Sequence, residues 1–145
     1  MASNVLSFST ENTSLVLNGY GFSNYQDGDI IEAAWANPVT TQVRGRKDVN
    51  IMKRSDSGVM DLTVRLMRFS NDDVYLNSKK NQELPVIFEG SLTENFISND
   101  GVESVSSYNL GAGSLTDQPT EVINNTDGNF LMEYKLRFND CIRVI

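Results

Sequence analysis

Apolar and polar residues alternate with a period of two along three long stretches of this chain. That spacing commits each stretch to an extended strand with one buried and one wet face. In residues 57–69, Met60, Leu62, Val64 and Leu66 fall on one side and Asp61, Thr63 and Arg65 on the other, flanked by Val59 and Met67. In residues 84–97, Leu84, Val86, Phe88, Leu92 and Phe96 oppose Glu89, Ser91, Thr93 and Asn95, with Gly90 marking a bulge or bend. In residues 130–138, Met132, Tyr134, Leu136 and Phe138 alternate with Leu131, Glu133, Lys135 and Arg137. Shorter strands are expected over 14–17, 30–35, 39–43, 48–53, 102–108 and 121–123. Asn99-Asp100-Gly101 and Asp127-Gly128 tolerate positive φ and predict hairpin turns. The Gly-rich, charge-poor stretch 108–119 reads as a loop, one that could be mobile before assembly.

One helix is predicted over residues 71–80. Ser70 can cap it, Asp72 and Asp73 sit where the helix dipole favours negative charge, and Lys79 and Lys80 sit where it favours positive charge. Val74 and Leu76 give it a thin apolar edge, which places it against the outside of a sheet. The expected fold is therefore mainly β: two packed antiparallel sheets, a β-sandwich or partial barrel, with one short flanking helix. At 145 residues and 39% apolar composition the chain fits one domain, 1–145, around one core.

Composition also removes several chemistries. The chain has no His, so His-containing metal sites and Ser-His-Asp arrangements drop out. Asp27 with Asp29, or Asp72 with Asp73, are carboxylate pairs able in principle to bind a cation or do acid–base work. Asp beside Gly is also ordinary turn chemistry, and Asp at a helix start matches the dipole. Gly19-Tyr20-Gly21 lacks the third glycine of a dinucleotide fingerprint. The lone Cys141 has no basic partner such as His and reads as a small packed apolar residue. No catalytic residue, metal ligand or cofactor is assigned. One cysteine allows no internal disulfide, and no apolar run is long enough to span a bilayer. The opening residues lack a secretory pattern, and the Asn12 and Asn124 sequons are too short a signal to outweigh this. A soluble, unprocessed protein of a reducing cytosol is expected.

Charge is distributed unevenly. Of 12 Lys and Arg, nine lie within residues 44–80, whereas residues 81–134 contain none and carry nine Asp and Glu. The densest cluster is Arg44, Arg46, Lys47, Lys53 and Arg54. It is open to three readings: docking onto an acidic protein surface, a solvated hairpin whose charges protect an edge, or nucleic-acid contact. No aromatic residue lies within 44–54 to stack on bases, and a net charge of −7 opposes general attraction to phosphates. Identical subunits meeting head to tail would bring the basic and acidic surfaces together.

Residues 37–50, Asn-Pro-Val-Thr-Thr-Gln-Val-Arg-Gly-Arg-Lys-Asp-Val-Asn, and the stretch from Ser57 through Leu76 resemble the tail tube protein family of contractile-tailed bacteriophages. Gly58, Thr63, Val64 and Leu66 match its Gly-led strand, and Ser70, Asn71 and Asp72 match the polar segment that follows. The likeness covers about residues 30–86 in letters and the rest in layout. It implies a non-enzymatic structural virion protein of the phage tail, assembled in the host cytoplasm. Six subunits would form a ring whose inner strands close into a shared β-barrel, and rings would stack into a tube conducting the genome into the host. Implied partners are further copies of itself and the sheath, baseplate and tail terminator proteins, with DNA passing through unbound. On this account residues 44–54 dock between subunits or rings, and Asp61, Glu89, Glu94 and Glu133 are lumen-facing acids. Arg65, Lys135 and Arg137 share the faces of Asp61 and Glu133, so that wall is purely acidic only if they form ion pairs. Other readings are a specialised baseplate or tube-end ring, and a β-sandwich adhesin or carbohydrate-binding module using Asp27-Gly28-Asp29 or the 111–117 loop. A hydrolase working with carboxylates alone is a third.

Overall fold

The computed structural model describes residues 6–7, 13–23, 25, 30–45, 49–55, 57–123 and 130–145. In chain order these form β1 (Leu6–Ser7), β2 (Thr13–Leu17), β3 (Tyr20–Phe22), β4 (Ile31–Trp35), β5 (Thr40–Arg44), β6 (Asn50–Arg54), β7 (Met60–Met67), α1 (Asn71–Lys80), β8 (Phe88–Ser98), β9 (Glu103–Leu115), β10 (Thr120–Ile123), β11 (Phe130–Phe138) and β12 (Ile142–Val144). The fold is mainly β, in two antiparallel sheets with one short helix.

The sheets are unequal. Ten strands form one sheet in the order β3-β2-β8-β9-β11-β7-β4, with β1 on β8, β10 on β11 and β12 on β9. The second sheet is the β5–β6 hairpin alone. Leu15, Leu17 and Phe22, near one end of the large sheet, share a buried cluster with Met60, Leu62, Val64 and Leu66, near the other. The large sheet therefore curls so that its own two halves enclose the core, without closing into a barrel. The alternation holds in detail: Met60, Leu62, Val64 and Leu66 of β7 and Tyr134, Leu136 and Phe138 of β11 are all essentially inaccessible.

The curl is made in part of the stretch expected to be a loop. Residues 108–115 belong to β9, and the loop expectation is corrected there. Phe88 pairs with Gly113 but Gly90 with Leu110, so β9 carries one extra residue, a bulge that bends the strand. Beyond it, β9 pairs with β11. A Cβ at Gly111 would lie 2.0 Å from the Asn139 carbonyl oxygen, and one at Gly113 2.3 Å from that of Arg137. Glycine is required there for close backbone approach rather than for looseness.

The helix spans the expected residues, but its acids do more than complement the dipole. Ser70 accepts from the Asp73 amide at 3.3 Å, as an N-cap does. Asp72 is buried and accepts from the Tyr20 hydroxyl and the Ser23 amide, both at 2.8 Å. Asp73, also buried, accepts from the Phe69 amide at 3.0 Å and the Tyr134 hydroxyl at 2.6 Å. The first helical turn thus ties β3 to β11, on opposite halves of the curled sheet. Leu76 enters the core and Val74 stays exposed.

Three short strands were not anticipated: β1, β3 and β12. Asn18 (φ 50) and Gly19 (φ 81) make the two-residue turn between β2 and β3, with Leu17 paired to Tyr20. Residues 84–87 are not strand, and Leu84 is 77% exposed. The 99–101 turn forms as expected, with Gly101 at φ 85 and the Ser98 amide donating to the Val102 carbonyl. The Asp127-Gly128 turn, Asp27 with Asp29, and the asparagines of both sequons lie outside the described residues.

Candidate assembly surfaces

The β5–β6 hairpin stands apart from the main sheet, and all ten of its strand residues are exposed. Thr40 pairs with Arg54, Gln42 with Met52, Val43 with Ile51 and Arg44 with Asn50. Directly paired side chains share a face. One face therefore carries Val43, Ile51, Thr41 and Lys53, continued by Val39 and Val49; the other carries Arg44, Arg54, Thr40, Gln42, Asn50 and Met52. Val39, Val43, Val49 and Ile51 are 49–63% exposed. An isolated two-stranded hairpin is marginally stable in water. The uncovered aliphatic face makes the ribbon a candidate contact surface.

Of the five basic residues singled out in the sequence, Arg44 and Arg54 share the polar face and Lys53 lies on the aliphatic one. Arg46 and Lys47 lie outside the described residues. At the ribbon's root, a groove of about 430 Å³ is lined by Trp35, Pro38, Val39, Arg54, Ile142 and Arg143, among others. Sequence reasoning missed this groove because it joins the end of β4 to β12, which are far apart in the chain. The alternation of Ile142, Arg143 and Val144 was the available signal for the strand.

The four acids are not equivalent. Asp61 receives two bonds from the Arg137 guanidinium, at 2.7 and 3.1 Å, and that contact holds its carboxyl below the ordinary value. Glu133 accepts from Arg65 at 3.1 Å and lies 3.9 Å from Lys135, while Arg65 also reaches Glu32 at 3.3 Å. Glu133 faces Arg65, and Arg137 faces Asp61, in the β7–β11 register. The polar face of these strands is thus a ladder of ion pairs in which Glu32, Asp61 and Glu133 balance Arg65, Lys135 and Arg137. Glu89 is exposed on the side of β8 opposite Phe88. Glu94 shares the parity of Leu92 and Phe96 and is separated from the other three. Neither Glu89 nor Glu94 forms an ion pair with a described residue.

Cys141 is buried, and burial pushes its thiol pKa up, which suits packing and opposes nucleophilic use. Among the described residues no cluster of His, Cys, Asp and Glu could hold a metal ion. No described helix is long and apolar enough to cross a membrane.

No family model matches the chain, and no curated protein sequence matches it. Solved structures do. One chain in the six-fold symmetrised cryo-EM structure of the anti-feeding prophage (AFP) baseplate superposes with a TM-score of 0.53 at 11% identity, covering 91% of this chain and 90% of that one. At that identity the likeness is one of fold, and it extends over nearly the whole of both chains.

Proposed function

We propose that this chain is a structural, non-enzymatic subunit of a contractile tail or injection apparatus, and within it the repeating subunit of the inner tube. The observation that carries the reading is the fold likeness, over nine-tenths of both chains, to a component of the six-fold symmetrised anti-feeding prophage baseplate. The resemblance of residues 30–86 to tail tube proteins supports the same assignment. Six copies would close a ring through the sheet edges, where β3 pairs only with β2, and β4 only with β7, among described strands. The ribbon, with Arg44, Arg46, Lys47, Lys53 and Arg54, would dock between subunits or rings.

In this arrangement the polar face of β7 and β11 lines the channel. Six copies of a −7 chain carry −42 in total, but the ion-pair ladder leaves the Asp61 and Glu133 region locally balanced. Such a wall offers DNA no basic track to hold it. Sheath, baseplate and terminator proteins would be the further partners, in a virion assembled in the host cytoplasm.

Negative-stain microscopy of the purified protein at high concentration tests the reading. Rings that stack into tubes are expected, and a persistent monomer would count heavily against it. Charge reversal at Arg46→Glu with Lys47→Glu should impair stacking while the fold stays intact. The baseplate likeness also favours a second reading, a specialised ring at the tube end. Discrete rings that never stack would select it.

A further inference from the structure

We infer that the groove at the root of the β5–β6 ribbon receives the 83–89 segment of a second copy of this chain, which names the two surfaces that meet and rests on the assembly reading above. The groove is mostly apolar through Trp35, Pro38, Val39 and Ile142, with Asn37 and Ser57 as its uncharged polar lining residues, and its charged lining residues are both cationic, Arg54 and Arg143. Neither forms an ion pair with a described carboxylate; Arg143 donates to the Ser106 hydroxyl at 3.0 Å and lies over the Tyr108 ring, and Arg54 makes no such contact with a described side chain. Its occupant must therefore combine aliphatic side chains with flanking acids.

Among the described residues, three exposed regions away from the ribbon and the C-terminal strand carry clustered apolar side chains. Phe69 and Val74 form one, but its charges are already matched, since Arg68 pairs with Glu121 and the acids of the adjoining helical turn are buried. Ile97, Val102 and Val105 near the tip of the β8–β9 hairpin form a second. There β1 already lies along Ile97 and Ser98, and the Asp100 carboxylate is turned into its own turn by Ser98 and the Val102 amide. The third is Glu83-Leu84-Pro85-Val86-Ile87-Phe88-Glu89. Leu84 is 77% and Ile87 57% exposed, and Glu83 and Glu89 flank them.

This segment is also held ready. Asn18 donates to the Ile87 carbonyl and accepts from the Glu89 amide, both at 3.0 Å, and Phe88 is anchored in the core. Pro85 fixes the backbone before it. The nearby cations are turned away, Lys80 to Gln118 at 3.2 Å and Lys79 over the Tyr75 ring. Two aliphatic anchors between two acids thus match a mostly apolar groove whose charged lining residues are two arginines. Because knob and groove are different surfaces of one chain, the contact is head to tail and propagates into a ring or a stack.

Trp35 is the single tryptophan of the chain and lines the groove at 44% exposure, so its fluorescence reports occupancy directly. Emission should shift to the blue as full-length protein associates with rising concentration, with assembly followed in parallel by sedimentation. Leu84→Asp with Ile87→Asp, both at exposed positions, should leave thermal melting unchanged, abolish the shift and weaken association roughly 100-fold, tenfold for each anchor lost. Ile142→Asp should do the same from the groove side. Mixing the two variants should restore part of the Trp35 shift, because one retains the groove and the other the segment. Assembly of the unaltered protein without a Trp35 shift would overturn the inference and leave the assembly reading standing. So would a full shift in the Leu84/Ile87 variant, which would mean another segment or partner fills the groove. No assembly at all would overturn both.

Discussion

Replacing Val43 and Ile51 together by threonine tests whether the ribbon is a docking element. The two residues face each other across β5 and β6 and are 49% and 56% exposed. Full burial of such a side chain is worth about 1.5–3 kcal/mol, so covering the remaining half contributes about 0.8–1.5 kcal/mol each, or about 1.5–3 kcal/mol for the pair. Threonine keeps the β-branched shape and strand preference while replacing a methyl by a hydroxyl that is costly to bury unpaired. The association constant at each contact should therefore fall by roughly 10- to 100-fold, at 1.4 kcal/mol per factor of ten. Sedimentation velocity across a concentration series measures this, and thermal melting of the unassembled chain supplies the control. At exposed positions the folded monomer should change by less than about 0.5 kcal/mol. An unchanged assembly threshold would refute the docking role. A monomer destabilised by the full amount would show instead that the face is packed within its own chain.

Tyr134→Phe removes a 2.6 Å bond to the buried Asp73 carboxylate and should cost about 1.5–3 kcal/mol in chemical denaturation, as hydrogen bonds to charged groups do; a loss under about 0.5 kcal/mol would mean the helix is not tied to β11 this way. Burial, with Asp72 adding to it, pushes the Tyr20 and Tyr25 hydroxyls from 10.0 up to about 12. Their folded-state values exceed the unfolded ones, so this stability is complete below about pH 10 and lost as pH rises toward about 12; denaturation midpoints that stay flat across that window would contradict it. Gly90→Ala places a Cβ 1.8 Å from the Val16 carbonyl oxygen, and forcing β2 away from β8 should cost about 3 kcal/mol, the upper part of the overpacking range. A variant that melts like the parent would show that the strands can separate freely there.

The strands most legible in the sequence were those whose two faces meet different solvents. β7 and β11 each bury one complete side, so the period of two survives into the fold. The helix was legible because its signals are local, from the Ser70 cap to the lysines of its last turn. Residues 108–115 misled because Gly111 and Gly113 resemble loop residues by composition, whereas their role is set by the carbonyls of Asn139 and Arg137 reached through tertiary packing. Leu84 kept the apolar parity of β8 but precedes the ladder, where Asn18 rather than a strand partner holds the chain. The Asn18-Gly19 turn was written locally, since an Asn-Gly pair favours positive φ at both positions, but it was weighed only as part of a phosphate loop. At the candidate interface the basic cluster was readable as charge, whereas exposure of the ribbon's aliphatic face is a property of what fails to pack against it.

The charge segregation seen along the chain is rearranged by folding into a sharper division. Arg65, Arg68, Lys135 and Arg137 pair with carboxylates of the same sheet, including acids from the otherwise acidic 81–134 region. Lys79, Lys80 and Arg143 lie over rings or against side-chain oxygens. Among the described cations, Arg44, Lys53 and Arg54 of the ribbon are left with no described carboxylate, ring or side-chain oxygen, on a hairpin with aliphatic surface still in water. The cations of the sheet are thus largely matched from within and those of the ribbon are not. Exposed charges of this kind act mainly on encounter rate and choice of partner, while affinity comes from the apolar area covered. Reversing the ribbon's charge should accordingly slow association and increase its sensitivity to salt, whereas the Val43 and Ile51 replacements should shorten the lifetime of contacts once formed. A ribbon that only kept a sheet edge from aggregating would show neither effect.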